Sequence, residues 1–231
     1  MEVGRRHPVS DIPVPLKMRV VNVADAVRRA LSAPRRIIFD FDGTLADTNE
    51  IKKRAFDLVF AAYPEHIKEI QAYCHGFNHT IRGEKFKYVT EKILGLPYTP
   101  ERDRLFHEAY ARFTAAGVMS AAEIPGAASF LRRIRSREPA LVSSTPHEIL
   151  IEILERRGWR SMFGEIRGAP VNKREWIRSL QGSVGCKPDE LLFFGDTDED
   201  ETSAREAGCT FVRVGAVPRP GKLAIQDFTC L

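Results

Sequence analysis

The sequence lacks the features that mark membrane, disulfide-bonded and secreted proteins. Its 4 cysteines lie far apart and form no Cys-x-x-Cys pair, so neither a disulfide framework nor a zinc site is indicated. No apolar run approaches the roughly 18 residues that a membrane-spanning helix needs. The N-terminal segment has no signal-peptide apolar core. We therefore expect a soluble protein of the reducing cytoplasm, with no membrane partner.

The charge of the chain is also small. Lys and Arg total 35 against 31 Asp and Glu, and the resulting formal charge of +4 is too low and too dispersed to indicate nucleic acid. Neither an internal repeat nor a low-complexity tract is present. We expect a small anionic molecule as the binding partner, and a monomer or a homodimer.

Apolar segments alternate with helical patterns along most of the chain. The run Ile37–Phe39 has no polar alternation, which is typical of a strand buried on both faces of a parallel sheet. Four more strands and four helices are predicted, the strands at 140–142, 165–166, 191–194 and 210–214 and the helices at 126–137, 146–158, 172–182 and 200–207. This order predicts an α/β fold with a doubly wound parallel sheet, which binds ligands beyond the carboxyl ends of its strands.

Residues 46–122 interrupt that alternation. They contain several helical patterns and no convincing strand, so they are predicted to form a helical domain inserted into a core made of 35–45 and 123–231. Residues 1–34 are predicted to be a proline-containing leader with a helix from Asn22 to Leu31.

Two aspartates follow the first strand. Asp40 and Asp42 can share one divalent cation, with Asp42 contributing its main-chain carbonyl and keeping its side chain free. Asp40 beside a metal-bound phosphate would be a nucleophile, and the Asp42 side chain could protonate the leaving oxygen and later accept a proton from water. The alternative is an acidic turn whose side chains cap the next helix.

The segment FDFDGTLADT, which contains both aspartates, resembles the first motif of the haloacid dehalogenase superfamily. Segments similar to the three other motifs follow in the family's order, and together they cover residues 35–215. The resemblance implies phosphoryl transfer through a phosphorylated Asp40, with Mg²⁺ as the cofactor. Dehalogenases of this group lack the second aspartate, so Asp42 argues for phosphoryl transfer. Within the superfamily, the sequence resembles the phosphatases of the phosphoglycolate phosphatase type.

The second and third motifs supply the predicted phosphate-binding residues. Ser143, at the end of a strand, is expected to bind the transferring phosphoryl group, aided by the backbone at Ser144 and by the Thr44 hydroxyl in the nucleophile loop. Lys173 is matched to the motif lysine that neutralises charge on nucleophile and phosphate. A helix-capping serine and an exposed lysine are the alternatives. Lys187, in a later loop, is predicted to be a surface lysine.

The fourth motif is an apolar strand followed by Gly-Asp-x-x-x-Asp at 195–200. Asp196 is expected to bind Mg²⁺ directly and Asp200 through a water, because Mg²⁺ loses its waters reluctantly. The resemblance therefore predicts four metal-binding residues, Asp40, Asp42, Asp196 and Asp200.

The inserted helical domain resembles a C1-type cap that closes over the active site, with hinges near 45–49 and 121–126. A polar segment within it carries His79, Arg82 and Lys85, which are candidates for contacting an anionic or hydroxylated substrate. An ordinary solvated loop explains the same composition.

The expected reaction is hydrolysis of a small phosphorylated metabolite, either a sugar phosphate or a phosphoglycolate-like acid. A phosphomutase would use the same four motifs and return the phosphoryl group to the sugar. A binding protein that kept the fold without turnover is the alternative from outside the enzymes. Release of inorganic phosphate without a bisphosphate activator separates the hydrolase from the mutase.

Overall fold

A parallel sheet of six strands organises the chain. In the computed structural model, which describes residues 23–32, 34, 36–76, 80, 82–216 and 221–231, the sheet has the order β3-β2-β1-β4-β5-β6. The strands are β1 (Arg36–Phe39), β2 (Ala140–Pro146), β3 (Glu165–Ala169), β4 (Leu191–Gly195), β5 (Thr210–Val214) and β6 (Leu223–Ile225). The chain leaves β1 toward β2 on one side and later adds β4 on the other, so the switch point lies beside β1.

Helices cover both faces of this sheet. One face packs on α1 (Val23–Ser32), α6 (Ala127–Ile134) and α7 (His147–Arg156), and the other on α8 (Lys173–Val184) and α9 (Asp198–Ala207). Ile37 and Phe39 point to the first face and Ile38 to the second, and all three are fully buried. This burial on both faces explains the uninterrupted apolar run, and the predicted doubly wound α/β fold is confirmed.

A helical segment lies between β1 and α6. It consists of α2 (Asn49–Val59), α3 (Ile67–Gly76), α4 (Arg82–Tyr88), which continues as the π-helix Val89–Ile93, and α5 (Pro100–Ser120). Its own core contains Phe56, Phe60, Phe86 and Tyr110. No strand occurs among the described residues from 49 to 120, as the sequence predicts. The exact division of the chain at residues 46 and 122 stays a prediction.

The two connections between the helical segment and the sheet run side by side. The amide of Asp47 donates to the carbonyl of Ala122 at 2.9 Å, and the amide of Ile124 donates to the carbonyl of Leu45 at 3.0 Å. Ala46 forms isolated β-bridges with Asp42 and with Glu123. Backbone pairing therefore sets where α2 starts relative to the carboxyl edge of the sheet.

Several elements differ from expectation at the ends of the chain. The strand β6 was not predicted, because three residues are too few to show a period in the sequence. The predicted helix start at Asn22 lies outside the described residues.

Short 3₁₀ turns occur at Pro64–His66, Arg135–Arg137, Arg160–Met162, Pro188–Glu190 and Phe228–Cys230. Among the helices that the structure describes, none combines the length and apolarity needed to cross a bilayer.

Candidate active site

The four predicted motifs meet at the carboxyl edge of the sheet. Asp40 follows β1, Asp196 follows β4, Ser143 lies in β2, and Lys173 is the first residue of α8. The Asp40 amide donates to the carbonyl of Phe194 at 2.9 Å, which holds the nucleophile loop against the end of β4. Since neighbouring parallel strands end at the same edge, residues far apart in sequence come into contact there.

Three carboxylates form the centre of this site. Asp40, Asp196 and Asp200 each offer one oxygen, and these oxygens all lie within 4.8 Å of one another. Gly43 makes the approach possible: it has φ of 75°, and a Cβ built there would lie 2.2 Å from Oδ2 of Asp196. Gly195 has the same role beside Asp200, where a Cβ would lie 2.5 Å from the Cβ of that residue. The glycines of both motifs are therefore required by close packing.

Lys173 is buried between two of the carboxylates. Its Nζ lies 2.7 Å from Oδ1 of Asp40 and 2.7 Å from Oδ1 of Asp200, and the residue is only 8% exposed. Burial alone would lower the pKa of Lys173, but the charges of Asp200 and Asp40 raise it above its ordinary value. The side chain is therefore a fixed ammonium, and the alternative of an exposed lysine is wrong.

One ammonium does not balance the charge of three carboxylates, of which Asp40 and Asp200 are buried and Asp196 is partly buried. Burial raises the pKa of Asp196 to about 6, with a further contribution from the charge of Asp200, although a hydrogen bond from Asn49 at 2.8 Å opposes the shift. Burial also raises the pKa of Asp40 well above its ordinary value in spite of Lys173. A cluster of hard oxygen donors with excess negative charge suits a divalent cation such as Mg²⁺.

Both oxygens of Asp200 are already engaged by the protein. Oδ1 accepts from Lys173, and Oδ2 accepts from the hydroxyl of Thr197 at 2.6 Å and from its amide at 3.2 Å. Thr197 and Asp200 form the capping box of α9, which begins at Asp198 rather than at the predicted residue 200. This arrangement is compatible with a carboxylate that reaches a metal through water, and that role of Asp200 stays a prediction.

The sequence predicts a free side chain for Asp42, and this prediction is wrong. Its Oδ1 accepts from Thr48 at 2.7 Å, and its Oδ2 accepts from Ser143 at 3.1 Å and from Thr145 at 2.8 Å. The Nζ of Lys52 lies 2.6 Å from the same Oδ2. Burial would raise the pKa of Asp42, but the charge and hydrogen bond of Lys52 lower it below its ordinary value. Three hydroxyls and one ammonium therefore hold an ionised carboxylate.

The predicted phosphate-binding residues occupy different surroundings. The Thr44 hydroxyl donates to Oδ1 of Asp196 at 3.4 Å and is fully buried. Ser143 is also fully buried, and its hydroxyl accepts from the amide of Thr145 at 3.0 Å while donating to Asp42. The side chain of Ser144 is exposed. A contact between the Ser143 hydroxyl and a phosphoryl group would have to replace its hydrogen bond to Asp42.

The three candidates from the inserted helices differ most from expectation. Lys85 is 5% exposed, donates from Nζ to the carbonyl of Cys74 at 2.7 Å and lies 5.1 Å from the ring centre of Phe56. It belongs to the core of the helical segment, so its prediction as a substrate contact is wrong. The polar residues beside Lys85 in the sequence gave no sign that its position is buried. His79 lies outside the described residues.

Arg82 stays a candidate for contacting the substrate. Its guanidinium lies 4.7 Å from the ring centre of Tyr110, in cation–π contact. Burial raises the pKa of the Tyr110 hydroxyl, and the negative charge of Asp42 contributes to the shift while Arg82 opposes it. Tyr110 is therefore in contact with Arg82 and within the electrostatic influence of Asp42.

Sequence reasoning missed the residues at the start of α2. Thr48 and Lys52 both contact Asp42, and Asn49 donates to Asp196. A usable signal existed, because residues four apart at a helix start share one face and lie one above the other. Thr48 and Lys52 have that spacing, directly after the nucleophile loop.

Magnesium affinity should fall at low pH. The pKa of Asp196 is about 6 instead of the ordinary value of 3.8, so the carboxylate is protonated below that pH and must lose its proton to bind a cation. For one displaced proton, the dissociation constant should be about tenfold higher at pH 5 than at pH 7.5. Isothermal titration with Mg²⁺ at each pH, in two buffers of different ionisation enthalpy, measures the dissociation constant and the number of protons released. Affinity that does not change with pH, with no proton released, would contradict the assignment.

The chain is similar in sequence to known proteins. Residues 37–214 match the family model described as "Haloacid dehalogenase-like hydrolase". Phosphoglycolate phosphatase of Synechococcus elongatus is 33% identical over 94 residues, which are 39% of this chain and 44% of that protein. Phosphoglycolate phosphatase 1 of Pseudomonas aeruginosa is 26% identical over 190 residues, which are 78% of this chain and 68% of that protein. The match to the first relative thus spans less than half of its length.

Solved structures share the architecture. The crystal structure of a predicted phosphoglycolate phosphatase from Haemophilus somnus superimposes with a TM-score of 0.67, covering 84% of this chain and 95% of that one. The sequence identity is 19%, so the likeness concerns the fold alone.

Proposed function

Because this chain belongs to the haloacid dehalogenase-like hydrolase family, we propose that it is a Mg²⁺-dependent phosphatase that hydrolyses a small phosphate monoester through a phosphorylated Asp40. One observation supports this most strongly: buried Asp40 and Asp200 and partly buried Asp196 form a carboxylate cluster with a single fixed ammonium, Lys173. The names of the sequence relatives favour a phosphoglycolate-like acid as the substrate, and a sugar phosphate is compatible with the same site.

Asp40 is suited to nucleophilic attack by the way it is held. Lys173 binds Oδ1, and among the described residues no hydrogen bond reaches Oδ2. The free oxygen can attack phosphorus in line with the ester bond, which forms an acyl phosphate and breaks the bond to the leaving alcohol. The lysine limits charge repulsion between the carboxylate and the incoming phosphate.

Asp42 is the proposed acid and base. Because Asp42 is ionised in the described state, it would first have to gain a proton. It would then give this proton to the leaving oxygen in the first step and take one from the attacking water in the second. In the described state, four side chains engage its two oxygens. At least one of these contacts must therefore be exchanged before Asp42 can serve the leaving oxygen.

Mg²⁺ would be held by the side chains of Asp40 and Asp196 and by the carbonyl of Asp42, with Asp200 behind them. When bound, it would neutralise charge on the phosphate and on the nucleophile. Asn49 orients Asp196 by donating to its Oδ2 at 2.8 Å, and Thr44 donates to the other oxygen. The helices α2 to α5 would act as the cap, which excludes water from the acyl phosphate while the leaving alcohol departs.

Inorganic phosphate release tests this function directly. Phosphoglycolate, glucose 6-phosphate and AMP are offered with Mg²⁺ and with EDTA. We expect release from at least one ester with Mg²⁺, loss of at least about 100-fold with EDTA, and recovery when Mg²⁺ is added back. Release that EDTA does not affect would contradict the metal assignment.

Two other outcomes would replace the proposal. Conversion of glucose 1-phosphate to glucose 6-phosphate that requires glucose 1,6-bisphosphate, without net phosphate release, would indicate a mutase. Stabilisation by Mg²⁺ and vanadate without turnover of any ester would indicate a binding protein.

A further inference from the structure

Lys52 is the strongest unexplained feature of the site. It lies one turn into α2, and its Nζ contacts Oδ2 of Asp42 at 2.6 Å and the hydroxyl of Thr145 at 3.4 Å. Among the described residues, these are the only hydrogen-bonding or ionic contacts of the Lys52 side chain. The ammonium of Lys52 therefore interacts with active-site side chains and not with the described side chains of the helical segment.

The next residue shows what an ordinary lysine of this helix does. Lys53 pairs with Glu50 at 2.7 Å on the surface, and the Glu50 side chain is 81% exposed. The Lys52 side chain is 25% exposed and pairs with a carboxylate that is 9% exposed. A surface pair contributes little to stability, whereas a partly desolvated pair has a stronger and more specific interaction. The two adjacent lysines thus form a natural matched pair for experiment.

The position of Lys52 places it on the leaving-group side of the reaction. Asp42 is the proposed donor to the leaving oxygen, and Lys52 occupies the same carboxylate oxygen as the hydroxyls of Ser143 and Thr145. A group attached close to the leaving oxygen would therefore meet the ammonium. An anion there would be a better partner for Lys52 than a neutral group, because the pair would be shielded from water.

The helical segment carries a second cation, Arg82. Arg82 stacks on Tyr110, which is within electrostatic influence of Asp42, and no carboxylate of the described residues pairs with this guanidinium. A cation in contact with Asp42 and a second cation in the same helical segment favour a substrate that brings a negative charge besides its transferring phosphate.

We propose that Lys52 recognises a second anionic group, a carboxylate or a phosphate, on the leaving alcohol of the substrate, and that this contact releases Asp42 to serve the leaving oxygen. The inference rests on the proposed phosphatase function. In a phosphoglycolate-like acid, one carbon separates the carboxylate from the ester oxygen, so adjacent groups of the protein would contact both. Lys52 is then a specificity residue that couples recognition of the substrate to the availability of the acid.

The test compares esters that differ only in the second charge. Phosphoglycolate is compared with 2-hydroxyethyl phosphate, and glucose 1,6-bisphosphate with glucose 6-phosphate, so that the two pairs distinguish a carboxylate from a second phosphate. We expect Lys52→Met to lower kcat/KM by about 10- to 100-fold for the doubly anionic ester that the enzyme prefers. For the counterpart without the second anionic group, kcat/KM should change by less than about threefold.

Controls separate the loss of charge from a loss of structure. Lys53→Met should leave kcat/KM unchanged for both members of each pair of esters. Lys52→Arg should keep most of the preference for the second anion, because the charge remains. Thermal melting shows whether Lys52→Met folds, and Lys52→Gln is a second neutral variant. Three hydroxyls still satisfy Asp42 in either variant, so both should fold.

Two results would overturn the inference while leaving the phosphatase assignment intact. One is equal loss, or no loss, by Lys52→Met on both members of each pair. The other is a wild-type enzyme without preference for the doubly anionic ester. In both cases Mg²⁺-dependent phosphate release from the singly anionic esters would continue. Absence of release from every ester would overturn the phosphatase function and this inference together.

Discussion

Replacing Asp40 by Asn is expected to lower phosphate release by at least about four orders of magnitude, because the amide is nearly isosteric but a poor nucleophile. The amide also lacks the charge that pairs with Lys173 at 2.7 Å and would help to hold Mg²⁺. Phosphate release from the preferred ester, measured with excess enzyme and saturating Mg²⁺, gives the rate. Activity within about tenfold of the wild type would remove Asp40 from the nucleophile role.

The same variant should keep its fold. Burial raises the pKa of Asp40 well above its ordinary value, so the folded protein binds this proton more tightly than the unfolded chain. The stability due to this group is present at low pH and is lost as the pH rises through the raised pKa. In the metal-free protein at pH 7.5, Asp40→Asn should therefore have an unchanged or higher melting temperature.

Asp47→Asn is the matched control for this pair of measurements. Asp47 lies in the same loop, and its side chain is exposed. This variant should keep its activity and its stabilisation by Mg²⁺, whereas Asp40→Asn should lose both. A large fall in the melting temperature of the metal-free Asp40→Asn protein would show that the aspartate is needed for folding.

Replacing Lys173 by Met should give the second large effect. The substitution leaves Asp40 and Asp200 buried without the ammonium that bridges them. Removing one partner from a buried ionic cluster lowers the free energy of unfolding by about 3–5 kcal/mol. Turnover should fall by about 100- to 1000-fold, because the charge on the phosphoryl group and the nucleophile is then less well compensated.

Urea denaturation with and without Mg²⁺ measures this effect. Mg²⁺ should restore part of the lost stability, because a cation in the carboxylate cluster replaces some of the missing positive charge. Lys187→Met is the control, since Lys187 is exposed, as the sequence predicts; its free energy of unfolding should change by less than about 0.5 kcal/mol. Equal stability of both variants would mean that Lys173 is not part of the buried network.

Much of the site could be predicted because strand ends are visible in the sequence. The runs Ile37–Phe39 of β1 and Leu191–Phe194 of β4 are buried on both faces, so they contain no polar residue until the chain leaves the sheet at Asp40 and at Gly195-Asp196. Lys173 was found from its place at the start of a predicted helix, and that helix begins one residue later than expected. Helix ends were less accurate: the prediction for 126–137 combined α6 with a 3₁₀ turn.

The amino-acid sequence by itself determined the α/β class, the order of the elements and the aspartates at the strand ends, because burial patterns and turn residues are local properties of the chain. Only the tertiary structure decided which side chains surround Asp42 and whether Lys85 faces the site or the core. Asp42 and Thr145 are 103 residues apart, and their contact depends on how the sheet brings β2 beside β1. Lys52 reaches Asp42 only because paired connections set where α2 begins. Such contacts depend on packing between distant elements, which no local pattern of residues encodes.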